Sequence, residues 1–290
     1  MDSHSPPVFP TELEREIFKI AARSYPQSIP KFIVVAWRVK LWVEPLLYRT
    51  IIFIEPENAH MKSQIMPRVP IHSRDTLSPI LQYKGQPFFA DATRNLLIHI
   101  KEIGDAELVF SHCRGIENLW LFVPPSTGSR ILSQLADLPL KQFHGSVVQL
   151  FGSPEQIDFS HRFFSQITHL SLLDNTMETL SSFFLLPNLT HLSVDAFLAG
   201  EFHTVLQTCP WLRVFVATEM IRMPPIIDNY PERDVFAKDP RFVVIDYDLT
   251  AGLRDWQMGT YSGNDFWSRA EDFVARRRSG EVDISQYRLD

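Results

Sequence analysis

Cysteine is nearly absent from this 290-residue chain: Cys113 and Cys209 are its only two and lie far apart. That excludes a disulfide framework and fits a reducing compartment, so the expected location is cytoplasmic or nuclear. No apolar run approaches the roughly 18 residues of a membrane span, so no membrane partner is expected. Residues 1–8 lack the basic start and apolar segment of a signal peptide and read as a short disordered tail. An excess of basic charge is missing too. The formal net charge is −6, which disfavours a broad phosphate-binding surface and with it a nucleic-acid partner. Glycine is scarce, with 11 residues against 21 prolines, and no phosphate loop, G-x-S-x-G elbow or zinc spacing occurs. The sequence therefore predicts no catalytic residue, no metal and no cofactor.

What is present is a degenerate repeat. The pattern L-x-x-L-x-L fits Ile116-Leu119-Leu121, Ile167-Leu170-Leu172 and Leu189-Leu192-Val194. Weaker copies are Thr93-Leu96-Ile98, Leu140-Phe143-Gly145, Leu212-Phe215-Ala217 and Phe242-Ile245-Tyr247. Central positions follow one another at spacings mostly between 22 and 27 residues, within the roughly 20–29 of a leucine-rich repeat. Asn175 stands where such repeats place an asparagine. Pro139, Pro187, Pro210 and Pro240 each sit just before a copy, where proline stops the preceding helix. Helical spacing recurs between copies, in Ile131, Leu132, Leu135 and Leu138, in Met177, Leu180 and Phe184, and in Phe202, Val205, Leu206 and Cys209. Each unit thus reads strand, turn, helix, proline. The expected fold class is α/β: a mainly parallel sheet over residues 91–250, with helices behind it. Residues 55–90 read as an irregular connecting segment with a helical patch at Leu77, Ile80 and Leu81, and residues 251–290 as a helical C-terminal cap. In that cap Asn264-Asp265 starts a helix carrying Phe266, Trp267, Ala270, Phe273 and Val274 on one face, with Arg276-Arg277-Arg278 in its last turn and Gly280 at its end.

Residues 9–54 form a helical head that runs into a first strand, Thr50–Ile54. Thr11 and Glu14 have capping-box spacing, and Leu13, Ile17 and Ile20 share one helical face. A second helix is expected from about Ser28 through Phe32, Val35, Ala36 and Val39, and Glu44-Pro45 is expected to restart the chain into a third. This head resembles an F-box-like domain of the divergent type found in fungal F-box/leucine-rich-repeat proteins. Phe9-Pro10-Thr11-Glu12 followed by Ile17, Val34-Val35-Ala36-Trp37-Arg38, Trp42, and Leu46-Leu47-Tyr48-Arg49 carry the resemblance. Phe9 stands where the family has leucine, and Ala36 where cysteine is frequent. The resemblance implies a non-catalytic adaptor whose head docks a Skp1-like subunit of a cullin ubiquitin ligase through Phe9, Pro10, Leu13, Ile17 and Trp42.

Alternation along each strand places a second set of side chains on the opposite, concave face. Trp120, Phe122, His144, His169, Ser171, His191 and Ser193 are expected there, accessible and available to a target protein, with Trp120 as the apolar anchor. Val244 and Asp246 are assigned to the same face. His169 and His191 fall at equivalent places in two Thr-His-Leu-Ser copies; two polar side chains on a solvated ladder is the expected reading, in preference to a metal pair. His112-Cys113 reads as a buried lead-in to a strand rather than a nucleophile. Two rivals remain: a free-standing leucine-rich-repeat interaction module with no ubiquitin link, and an enzyme. A docking head leaves its apolar residues exposed, a mere cap buries them, and an enzyme needs a pocket of titratable groups with shifted pKa values.

Overall fold

The computed structural model describes residues 9–54, 65, 70–100, 102–124, 127–174, 182–221 and 223–289. The tail at residues 1–8, Asn175, Met177, Leu180 and most of residues 55–69 lie outside the described residues.

Three helices make the head: α1 (Thr11–Ser24), α2 (Ile29–Phe32) and α3 (Trp37–Leu47). Glu12 and Glu14 in the first turn of α1 and Arg23 in its last complement the helix dipole. The capping box does not form. Thr11 is already helical, and Glu14 turns its carboxylate to the Arg38 guanidinium of α3 in a two-point pair at 2.9 and 3.0 Å. The expected second helix is broken, because Ala36 adopts extended backbone (φ −161°, ψ 154°) and starts α3. Across that break Ile29 packs with Val39 and Val43 in the head's own small core. Glu44-Pro45 restarts nothing; Pro45 lies inside α3, two residues from its end.

One ten-stranded sheet follows. Its strands are β1 (Thr50–Phe53), β2 (Ile71–His72), β3 (Asn95–His99), β4 (Asn118–Phe122), β5 (Gln142–Gly145), β6 (His169–Leu172), β7 (His191–Asp195), β8 (Val214–Met220), β9 (Phe242–Tyr247) and β10 (Arg288–Leu289), in the order β10-β9-β8-β7-β6-β5-β4-β3-β1-β2. Every pairing is parallel. Ile51, Leu96, Leu119, Phe143, Leu170, Leu192, Phe215 and Phe242 lie in one row across eight strands, each fully buried. Among the described residues, six α-helices cover this face: α4 (Arg74–Ala92), α5 (Ile103–His112), α6 (Gly128–Ala136), α7 (Val147–Phe151), α8 (Phe202–Thr208) and α9 (Arg233–Ala237). The connecting segment supplies β2, beside β1 at the sheet edge, and α4, which kinks at Gly85 (φ 76°).

The last repeat copy shows a register error. Phe242, not Ile245, pairs with Phe215. An offset of three residues is odd, and an odd slip exchanges the two faces of a strand. Val244 therefore joins the helix-covered core, and Ile245 is half-buried on the concave side.

The C-terminal segment departs most from expectation. It forms two helices, α10 (Leu249–Ser262) and α11 (Phe266–Ser279), rather than a plug at the end of the array. The second is the helix the sequence predicts, capped by Asp265 and ended by Gly280 at φ 79°. Both lie across the concave face. Leu253 and Trp256 of α10 pack on Ile52, Leu97 and Trp120, while Trp267, Ala270, Phe273 and Val274 of α11 pack on Val214, Val216 and Val243. The sheet is thus covered on both faces, the usual condition of a parallel sheet. Arg277 is more than a helix-dipole partner. Nearly buried, it donates to the carbonyls of Ala237, Asp239, Pro240, Phe242 and Ile284 and so ties α11 to the start of β9.

If α10 holds the sheet closed, Trp256→Ala lowers the unfolding free energy by about 3–5 kcal/mol, read from urea denaturation. An unchanged midpoint would show that the helix is not packed there.

Candidate functional site

The head keeps two apolar surfaces. Its inner one is satisfied: Ala22, Ile29, Val39 and Val43 are buried, and Phe18 meets Phe32 edge-to-face at 5.8 Å. Its outer one is not. Phe9 just ahead of α1 and Leu13, Ile17 and Ile20 along it stand exposed, as do Val34 (80% exposed), Val35, Trp37 (70%) and Leu41 along the α2–α3 turn and α3. Helical spacing explains both ridges, since Leu13, Ile17 and Ile20, like Trp37 and Leu41, recur at steps of three or four. The Glu14–Arg38 pair clasps the two helices, and Lys40 lies over the Trp37 ring at 5.2 Å. Lys84 of α4 anchors the assembly to the sheet domain through Glu44 at 2.8 Å.

Of the residues the resemblance assigns to the docking surface, Phe9, Pro10, Leu13 and Ile17 are exposed. Trp42 is half-buried against the head's inner core and borders the surface at most. Ile20, Val34, Val35, Trp37 and Leu41 were not assigned to it. The signal for them lay in Ile33-Val34-Val35, an apolar run in which a helix break turns two side chains outward.

The concave set is brought together, but not as an open surface. Trp120 is 2% exposed, stacked on Phe122 and on His144 at 5.2 Å, and met edge-on by Trp256 at 6.3 Å. The Trp256 indole N–H donates to Asn118 Oδ1 at 2.9 Å. His169 and His191 are face to face with ring centres 3.9 Å apart, and Trp267 closes both edge-on. His144, His191 and Ser193 are buried; Phe122, His169 and Ser171 are half-buried. The expectation of accessible side chains at Trp120, His144, His191 and Ser193 is therefore overturned, because α10 and α11 occupy the face on which a target was placed.

Burial sets the chemistry of these imidazoles. It pushes His144 and His169 down to about 3 and His191 down to about 4, with the Arg213 guanidinium adding to the effect on His191. All three are neutral at neutral pH. His191 Nε2 faces the Glu271 carboxylate at 3.0 Å and donates to it, while Glu271 also holds Arg213 at 3.1 Å. Thr168 and Thr190 each place a hydroxyl 2.8 Å from the Nδ1 of the following histidine, which is what the Thr-His-Leu-Ser repetition provides. Among the described residues no three His, Cys, Asp or Glu side chains converge as metal ligands. Cys113 is buried with its thiol pushed up to about 12, far from a nucleophile's range. His169 lines a polar cleft of about 370 Å³ at the start of β3–β6, together with Arg49, Asn95, Asn118, Gln142 and Glu271. Among the described residues no helix is long and apolar enough to cross a membrane.

Comparison with protein-family models, with curated proteins and with solved structures finds no match.

The buried histidines predict acid sensitivity. The unfolded chain protonates them near the ordinary value of 6.5, the folded chain only near 3 to 4. Their contribution to stability is complete above pH 6.5 and is lost as the pH falls toward 4 and then 3. Urea midpoints should fall across that window, and His144→Phe, which keeps the stack on Trp120 but cannot titrate, should flatten the slope.

Proposed function

We propose that the chain is a non-catalytic adaptor whose head docks a Skp1-like subunit of a cullin ubiquitin ligase. The observation that carries this is the outer apolar surface of the head. A cap folds its large apolar side chains inward, whereas here the head builds a separate core and still leaves both ridges to solvent. Contiguous apolar surface of more than a few hundred Å² is uncommon on a protein with no partner. Trp37 and Phe9 are of the aromatic class that is enriched at interfaces, and Lys40 and Arg38 supply a polar border.

Catalysis finds no comparable support. The histidines with shifted pKa values are stacked, neutral and roofed, and the cysteine at His112-Cys113 is buried. The target-binding half of the adaptor reading loses the strand face that the sequence assigned to it, since the chain's own C-terminal helices fill that face. The reading therefore rests on the head.

The double substitution Leu13→Asp, Ile17→Asp tests it by co-purification with a Skp1-like protein. Both side chains are half exposed or more, so the array should keep its urea midpoint while binding is abolished. Trp37→Ala alone should weaken binding by about 2 kcal/mol if it is a central contact. Retained binding in the double variant overturns the proposal. Global unfolding of that variant would make the head a cap and favour a free-standing interaction module.

A further inference from the structure

Behind the docking ridges, a second cleft of about 270 Å³ opens between the end of α1, the end of α3 and the end of α10. Arg23 and Arg49 line it, with Tyr261 and Thr260 on the opposite wall and no carboxylate among its lining residues. That is unexpected in a chain of net charge −6. Neither arginine forms an ion pair among the described residues. Arg49 is in addition acted on by two like charges, Arg23 and Arg94, and burial and these neighbours lower its pKa. The one carboxylate acting on it, Glu117, already holds Arg94 at 3.4 Å and Lys141 at 2.8 Å. Arg94 itself is spent on the carbonyls of Ala90 and Thr93. Arg23 and Arg49, both exposed, thus line one cavity without an ion-pair partner among the described residues, and Arg49 also borders the polar cleft that Glu117 and Glu271 line. The cavity lies near the small end of the roughly 300–1,000 Å³ typical of ligand pockets.

We propose that this cleft binds a phosphate-bearing anion between Arg23 and Arg49. Guanidinium groups match phosphate oxygens with paired N–H donors, and a dianion relieves the repulsion between the two cations. The cleft joins the head to the roof helix α10, so the anion acts as a brace between them. This inference is independent of the docking surface, and Leu13→Asp should leave anion binding unchanged.

The test is calorimetric titration of the full chain with inorganic phosphate and, separately, with phenyl phosphate, at one fixed ionic strength. Saturable binding is expected, weakened about tenfold by Arg49→Gln and abolished by Arg23→Gln with Arg49→Gln. Tighter binding of phenyl phosphate identifies a phosphate monoester carried on a larger body; equal binding identifies the free ion. Absence of saturable binding, or binding unchanged in the double variant, overturns the proposal. Should the variants fail to fold, the wild-type chain still decides. Phosphate should slow phenylglyoxal modification of Arg49 but not of Arg162, which is 72% exposed, pairs with Asp137 and does not line the cleft. Equal slowing of both, or of neither, overturns it.

Discussion

Everything in this molecule follows from one row of side chains. Because the strands are parallel and in register, Ile51, Leu96, Leu119, Phe143, Leu170, Leu192, Phe215 and Phe242 fall into a single continuous line. A line of that length cannot be covered by one helix, so successive crossover helices share the task, and each strand depends on its two neighbours. The same register fixes the other face. Once the row is set, Trp120, His144, His169 and His191 must face the opposite way, whether or not solvent suits them.

That second face decides the architecture. Ile52, Leu97 and Trp120 at one end, and Val214, Val216 and Val243 at the other, are too apolar to leave open. The strands themselves said so. Thr50-Ile51-Ile52-Phe53 and Phe242-Val243-Val244-Ile245 are near-continuous apolar runs, the mark of strands buried on both sides rather than one. The repeat spacing, the proline punctuation and the helix from Phe266 were legible because each depends on a local pattern. The placement of α10 and α11 was not, because no local pattern states which face a capping helix will cover. The slip at Ile245 has a similar origin: once leucine gives way to Val-Val-Ile, both faces of β9 carry the same residue type and the period of two vanishes.

The apolar stripe on α1 was legible through its spacing, whereas its exposure was expected only from the resemblance and not from the pattern itself. An amphipathic helix shows that one stripe is apolar, without saying whether that stripe meets the protein or a partner. What resolves it is the competing core made by Ala22, Ile29, Val39 and Val43, whose small size leaves Leu13 and Ile17 without an internal place. The histidine pair illustrates the converse. Two polar residues at equivalent positions read as solvated, but stacking on each other beneath Trp267 makes them a neutral aromatic step in the core.

The two ends of the sheet carry strands of only two residues, β2 and β10. Arg288, inside the latter, is held by Glu219 at 2.6 Å and Asp228 at 2.9 Å. A ten-stranded parallel sheet would otherwise offer two long rows of open backbone donors and acceptors, each a template on which a second molecule could extend the ladder indefinitely. Stubs this short, one of them locked by charge, give such growth almost nothing to pair with. Among the described residues the apolar surface of the head is thus not matched by long open sheet edges on which further strands could add.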